Sequence, residues 1–197
     1  MLKRCAIAVV LFALAGMVFP PSVHRNTTLA QQTAVGQLSS EQRRAIQLLI
    51  STDGTSSGFF STEPIANKST FRAAEAIHVG ILMTNTAPDS VRVCAFSNPY
   101  YQNRPQLTRD GEALGYSKNI VELTRQSDQG LLCGSIRSPD IVDLKPNVAL
   151  RVPSIELQDW YGPLAPGHYK LLLRRTFACC ADGLLKSSNE ISFDLRP

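Results

Sequence analysis

Residues 150–177, LRVPSIELQDWYGPLAPGHYKLLLRRTF, decide the fold of this 197-residue chain. They hold the only tryptophan, Trp160, and a turn signal at Pro166-Gly167. A strand pattern follows from His168. Side chains alternate between faces along a strand. Tyr169, Leu171, Leu173, Arg175 and Phe177 therefore share one face. His168, Lys170 and Arg174 form a basic row on the other. Before the turn, Val148, Leu150 and Val152 share a face, and Ile155 and Leu157 continue toward Trp160.

The same period of two extends outward. In residues 190–195, Ile191, Phe193 and Leu195 alternate with Glu190, Ser192 and Asp194. Set beside the basic row, these acids predict opposite charges across neighbouring antiparallel strands. Such pairs contribute about 0.2–1 kcal/mol each and fix register. Upstream, residues 76–84 place Ile77, Val79, Ile81 and Met83 on one face, and a turn at 85–90 leads to a strand over 91–96. Asp110-Gly111 lies between 107–109 and 112–114, a compact hairpin signal, because Asp-Gly supplies the positive φ angles of a tight turn. Residues 141–144 and 148–152 read as strands split by Lys145-Pro146-Asn147, and Phe59-Phe60 and 70–72 as an early strand. Residues 99–105 read as irregular, 120–123 as a strand or one helical turn, and 126–134 as a loop. Some eight strands without a long helix predict an all-β, immunoglobulin-like antiparallel β-sandwich of about 7–9 strands. A short helix over 38–50 precedes it, capped by Ser39 with Gln42 in the capping-box position, and Ala45, Leu48 and Leu49 forming its apolar stripe.

The chain divides into a signal peptide over 1–30, a linker and short helix over 31–57, and the sandwich domain over 58–197. Lys3 and Arg4 precede an apolar run at 5–19, too short for a comfortable bilayer span and suited to an export signal. Thr28-Leu29-Ala30, after Pro20-Pro21, is the preferred cleavage point. The signal carries Lys3, Arg4 and Arg25 and none of the 16 acids, so the basic pI of about 8.9 belongs largely to it. The remainder is nearly neutral, which removes the charge argument for a nucleic-acid partner. The expected location is periplasmic or extracellular, with no membrane span after cleavage. There Cys94, Cys133, Cys179 and Cys180 are disulfide candidates. A bond between the neighbours Cys179 and Cys180 ranks last among the three pairings; the other two tie Cys94 and Cys133 each to one of that pair.

No H-E-x-x-H, Walker loop, G-x-G-x-x-G or C-x-x-C occurs in the sequence. Beyond the signal the histidines are His78 and His168, both on strand positions where a structural role is the expectation. Asp140/Asp143 and Glu156/Asp159 are carboxylate pairs, but spacing alone does not set them across a cleft. The reading is therefore a protein without catalytic residues, metal or cofactor. Tyr100, Tyr101, Trp160 and Tyr161 fall in loops or at strand ends, where rigid aromatics serve as contact anchors for partners or as plugs for the end of a sandwich. They are the candidate binding residues.

Leu164-Ala165-Pro166-Gly167-His168-Tyr169 resembles the L-x-P-G-x-Y lead-in to a late strand of immunoglobulin-like and fibronectin-type sandwiches, where a tyrosine hydroxyl pins the turn. Tyr169 stands one residue early relative to the commonest fibronectin spacing. A broader pattern, Ile81-x-Met83-Thr84-Asn85, Val91-x-Val93, Tyr100, Asp110-Gly111, Leu144-Lys145-Pro146, Trp160 and Pro166-Gly167-x-Tyr169, is similar to the sandwich of bacterial intracellular proteinase inhibitors over about residues 76–175. This chain departs from that family by its export signal, its four later cysteines and its extra N-terminal helix. The resemblance implies the fold; inhibition of a proteinase is the alternative function it implies. The leading expectation is an exported, non-catalytic immunoglobulin-like module that binds a protein or another surface component.

Overall fold

The strand that follows Pro166-Gly167 is the middle strand of the largest sheet. The computed structural model describes residues 38–52, 67–96, 98–129, 141–178 and 185–197. Their strands are β1 (Ile46–Ser51), β2 (Thr70–Arg72), β3 (His78–Asn85), β4 (Val91–Cys94), β5 (Asn103–Arg109), β6 (Glu112–Ala113), β7 (Ile141–Leu144), β8 (Ala149–Glu156), β9 (Gly167–Arg175) and β10 (Lys186–Arg196). Four short helices join them: α1 (Ser40–Arg44), α2 (Pro99–Gln102), α3 (Lys118–Asp128) and α4 (Leu157–Tyr161). The fold is β-rich. One sheet has the order β2-β10-β9-β5-β6, a second β1-β3-β8, and β4 pairs with β7. All pairs are antiparallel except β2 with β10.

The parity argument describes β9 well. Tyr169, Leu171, Leu173 and Arg175 are buried, and Phe177 just beyond is buried with them. Phe193 of β10 stacks on Tyr169 with centroids 5.2 Å apart and planes 6° from parallel, and Phe71 of β2 meets Phe193 edge-on at 5.6 Å. On the outer face His168 stands opposite Asp194, with Nδ1 and Oδ1 2.8 Å apart, and Lys170 reaches Glu190 at 3.7 Å. Ile77, Val79, Ile81 and Met83 enter the same core from the second sheet, with Leu48 and Ile50 from β1 and Leu150, Val152 and Ile155 from β8. Each fully buried aliphatic side chain contributes about 1.5–3 kcal/mol relative to exposure.

The Pro166-Gly167 turn is pinned. The Tyr169 hydroxyl donates to the Ala165 carbonyl. The one-residue offset from the fibronectin spacing does not prevent the bond. Gly167 is required by close approach: a Cβ there would lie 2.8 Å from Cγ of Arg109 and 2.9 Å from Oδ2 of Asp110. The Asp110-Gly111 hairpin forms as expected, with φ of 51° and 89° at its two central residues.

Several expectations are corrected. The helix over 38–50 stops at Arg44. Its reciprocal Ser39–Gln42 capping box is present, but the chain then enters β1, where Ile46, Leu48 and Ile50 are buried at alternate positions. Burying three side chains on one sheet face outweighs a helical stripe of Ala45, Leu48 and Leu49. Among the described residues the first strand is thus β1, which pairs with β3. Residues 120–123 belong to the eleven-residue α3, whose inner face is Ile120, Thr124 and Ser127. Two of those three are polar, so no apolar helical period was visible. Residues 99–102 form one helical turn, begun by Asn98 Oδ1 accepting from the Tyr100 amide. Val148 does not share the face of Leu150: it lies in the turn, its amide donating to Lys145 O, and is 40% exposed. Residues 1–37, the Phe59-Phe60 strand and Cys133, Cys179 and Cys180 lie outside the described residues.

Side chains substitute for strands at two sheet edges. A bulge in β10 frees Ser188 and Asn189 from regular pairing. Ser188 Oγ accepts from the Leu173 amide, while Asn189 accepts from the Ile50 amide (2.7 Å) and donates to the Ile50 carbonyl (3.2 Å). Asn189 thereby ties β10 of one sheet to β1 of the other. On β5, the Tyr161 hydroxyl accepts from the Leu107 amide (3.1 Å) and donates to the Pro105 carbonyl (2.7 Å), which Tyr116 also reaches.

Candidate functional site

The chain leaves β8 at Glu156 and turns at once into α4, and this junction builds the site. No hydrophobic run or glycine-rich loop marks α4 in the sequence. Its position comes from bonds to two neighbouring segments. The Leu157 amide donates to Ile77 O, and the Gln158 side chain bridges residues 75–77, accepting from the Ile77 amide (3.0 Å) and donating to Glu75 O (2.7 Å). Gly162, with φ of 76°, ends the helix, its amide bonded to Gln158 O. The Ser117 amide takes the Trp160 carbonyl, fastening the start of α3.

Trp160 is 1% exposed. Its ring lies between Tyr100 (centroids 5.3 Å apart) and Tyr116 (5.4 Å), and Tyr116 in turn meets Tyr161 at 5.4 Å. The structure therefore gathers three of the four candidate aromatics, Tyr100, Trp160 and Tyr161, and adds Tyr116. Tyr101 stands apart on α2, its carbonyl accepting from Ser127 Oγ of α3. The burial of Trp160 and the bonded hydroxyl of Tyr161 are what an end plug requires. Burial pushes the Tyr161 phenol far above its ordinary range. Tyr100 is raised as well, first by burial and then by the nearby carboxylates of Asp159 and Glu156.

Beside this plug is a cleft of about 380 Å³, lined by Ala74, Ala76, Glu156, Gln158, Gly162, Pro163, Leu164 and Leu195. Its walls are mainly apolar. The amide of Gln158 is spent on the backbone of 75–77, so Glu156 carries the only charge among the lining residues. Ala74 has φ of 67°, a left-handed conformation uncommon for a residue with a Cβ, and it sits on the cleft wall. Glu156 Oε2 is 3.9 Å from His78 Nδ1 across the β3–β8 pair, beyond hydrogen-bonding distance. The Glu156/Asp159 spacing was visible in the sequence. The apolar walls were not, because Ala74, Leu164 and Leu195 come from three distant stretches.

Both histidines are held by strand register, His78 near Glu156 and His168 against Asp194. Among the described residues no cluster of three or more His, Cys, Asp or Glu side chains is placed to hold a metal ion, and no helix is long and apolar enough to cross a membrane. Away from the cleft, Arg175 is buried at the far end of β9. It donates to Asn103 Oδ1 (2.7 Å), Gln102 Oε1 (2.7 Å) and Ala95 O (3.0 Å), and among the described residues no carboxylate pairs with it. Burial pushes its pKa down to about 9, which leaves it charged at neutral pH. Gln102 also donates to the carbonyls of Cys94 and Ala178. The Cys94 amide bonds Phe177 O at 2.9 Å, two residues before Cys179. A scan against protein-family models finds no match, and a search of curated proteins finds none either.

Proposed function

We propose that this chain is an exported immunoglobulin-like β-sandwich that acts by binding a protein or another surface component. The observation that carries the reading is the cleft at the β8–α4 junction: mainly apolar, charged at one point, and lined in part by Gln158 and Gly162 of the segment that carries Trp160 and Tyr161. Small concave sites with apolar walls and few placed polar groups are the common form of a binding site. Support for the sandwich comes from alternate residues of two sheets entering one core and from the Tyr169–Ala165 bond, the counterpart of a tyrosine corner. Support for export comes from the leading basic and apolar segment, and a disulfide at Cys94 would fit it. The closeness of Cys94 to Phe177 favours Cys179 or Cys180 as the partner.

The test is affinity retention. The full chain, immobilised and exposed to the exported and envelope fractions of its source, retains one component at near-equal amounts, and free chain competes it away. No retained component, together with turnover of some substrate by the chain, overturns the reading. Proteinase inhibition is the second reading, favoured by the motif resemblance over residues 76–175. A panel of subtilisin-like and other proteinases whose rates do not change in the presence of the chain removes it.

A further inference from the structure

The cleft has a chemistry more specific than "binding". Its apolar lining is Ala74, Ala76, Pro163, Leu164 and Leu195, and its volume is about 380 Å³. Glu156 is the one charged residue among those lining it. Among the described residues no hydrogen-bond donor reaches that carboxylate, and the imidazole of His78 stands with Nδ1 3.9 Å away. Its acceptor capacity is therefore open. A second acid, Asp159, follows three residues later in α4, and both carboxylates raise the Tyr100 phenol after burial does. A mainly apolar cleft with a single carboxylate on its lining complements a long side chain with a cationic head. Lysine and arginine bury their methylene stems against apolar surface while the head keeps polar partners, and a cation gains from the carboxylate. An anion would meet only like charge.

We infer that the cleft receives a basic side chain, arginine or lysine, of the partner protein. The inference rests on the partner-binding reading above and names the chemistry at its centre. The left-handed Ala74 fits the same picture. A residue held in a sparsely populated conformation on a cleft wall is a form of preorganisation.

The probe is Nα-acetyl-arginine amide, titrated into the isotope-labelled full chain while the backbone amides of Gly162 and Leu164 are followed by NMR. Nα-acetyl-citrulline amide has nearly the same shape without the charge. Saturable shifts with the arginine probe are expected, at least tenfold weaker with citrulline, at least fivefold weaker in Glu156→Gln, and reduced by added salt. Ala76→Phe, at an exposed position on the cleft wall, fills the cleft and abolishes the response while dispersion of the remaining spectrum shows that the fold is intact. Equal response to the two probes, an unchanged response in Glu156→Gln, or no saturable shift at Gly162 and Leu164 overturns the inference. Retention of the partner by Glu156→Gln at wild-type strength also overturns it while leaving the partner-binding reading standing. Failure of the wild-type chain to retain any partner strikes that reading instead.

Discussion

Tyr169 contributes at two levels: its ring packs flat on Phe193 and its hydroxyl closes the turn onto Ala165. Tyr169→Phe keeps the ring and removes the bond. It is expected to cost about 1 kcal/mol in chemical denaturation, the net worth of one hydrogen bond; no change would mean that the turn is held by packing alone. Arg175 is a different case. Strand parity places it on the inner face, where it is buried. The structure shows why it is tolerated: three neutral oxygens receive its protons. Among the described residues its Nε and the Nδ2 of Asn103 have no partner. Arg175→Met removes a buried charge but strands three buried acceptors. The expected balance is a loss of about 2–4 kcal/mol, read from the denaturation midpoint, and an unchanged or raised midpoint would contradict it.

At the scale of elements, legibility followed periodicity. Strands β3, β9 and β10 were readable because each shows one apolar face over at least six residues. The charged pairs His168–Asp194 and Lys170–Glu190 followed from the same parity. Strand β1 was misread as helix because residues 45–50 are apolar at both helical and strand spacings, and only the partner β3 decides between them. Helix α3 was obscured because its buried face is largely Thr124 and Ser127. The bulge at 188–189 leaves no sequence mark beyond Ser-Ser-Asn. Asn189→Ala tests what that bulge does. It should speed hydrogen exchange at the Ile50 amide at least tenfold, with smaller effects at β9; equal protection would show that β1 needs no tie to β10. In α3, hydrogen bonds from Arg125 and then Gln126 lower the Glu122 carboxyl to about 2. A carboxylate with a depressed folded pKa contributes stability above its unfolded value, and that contribution is lost as pH falls toward 2. Because the pair is exposed, salt weakens it. A carboxyl titration midpoint near 2 at low salt is expected, and one near the ordinary value of 4.5 would show that the ion pair does not persist in solution.

For the whole molecule, the opening stretch is both spine and site. Its second half is the central strand of the five-stranded sheet, and its first half carries β8 into α4 and the cleft. The aromatics Tyr100, Trp160 and Tyr161 could be nominated from the sequence because such residues are rare. That they close one end of the core, with the cleft beside them, depends on contacts between segments more than 50 residues apart, such as the Tyr161 hydroxyl on Leu107. No local pattern encodes those contacts. The two ends of β8 now differ in kind: Glu156 opens on a charged cleft, while Val148 at the other end is an isolated exposed apolar residue. The most direct test of partner binding at the cleft is photo-crosslinking in the source cells, with a benzoylphenylalanine placed at position 76 in one version of the full chain and at 148 in another. A single adduct from position 76, diminished by Glu156→Gln and absent from 148, is the expected result. Equal adducts from both positions, or none from 76, would contradict it.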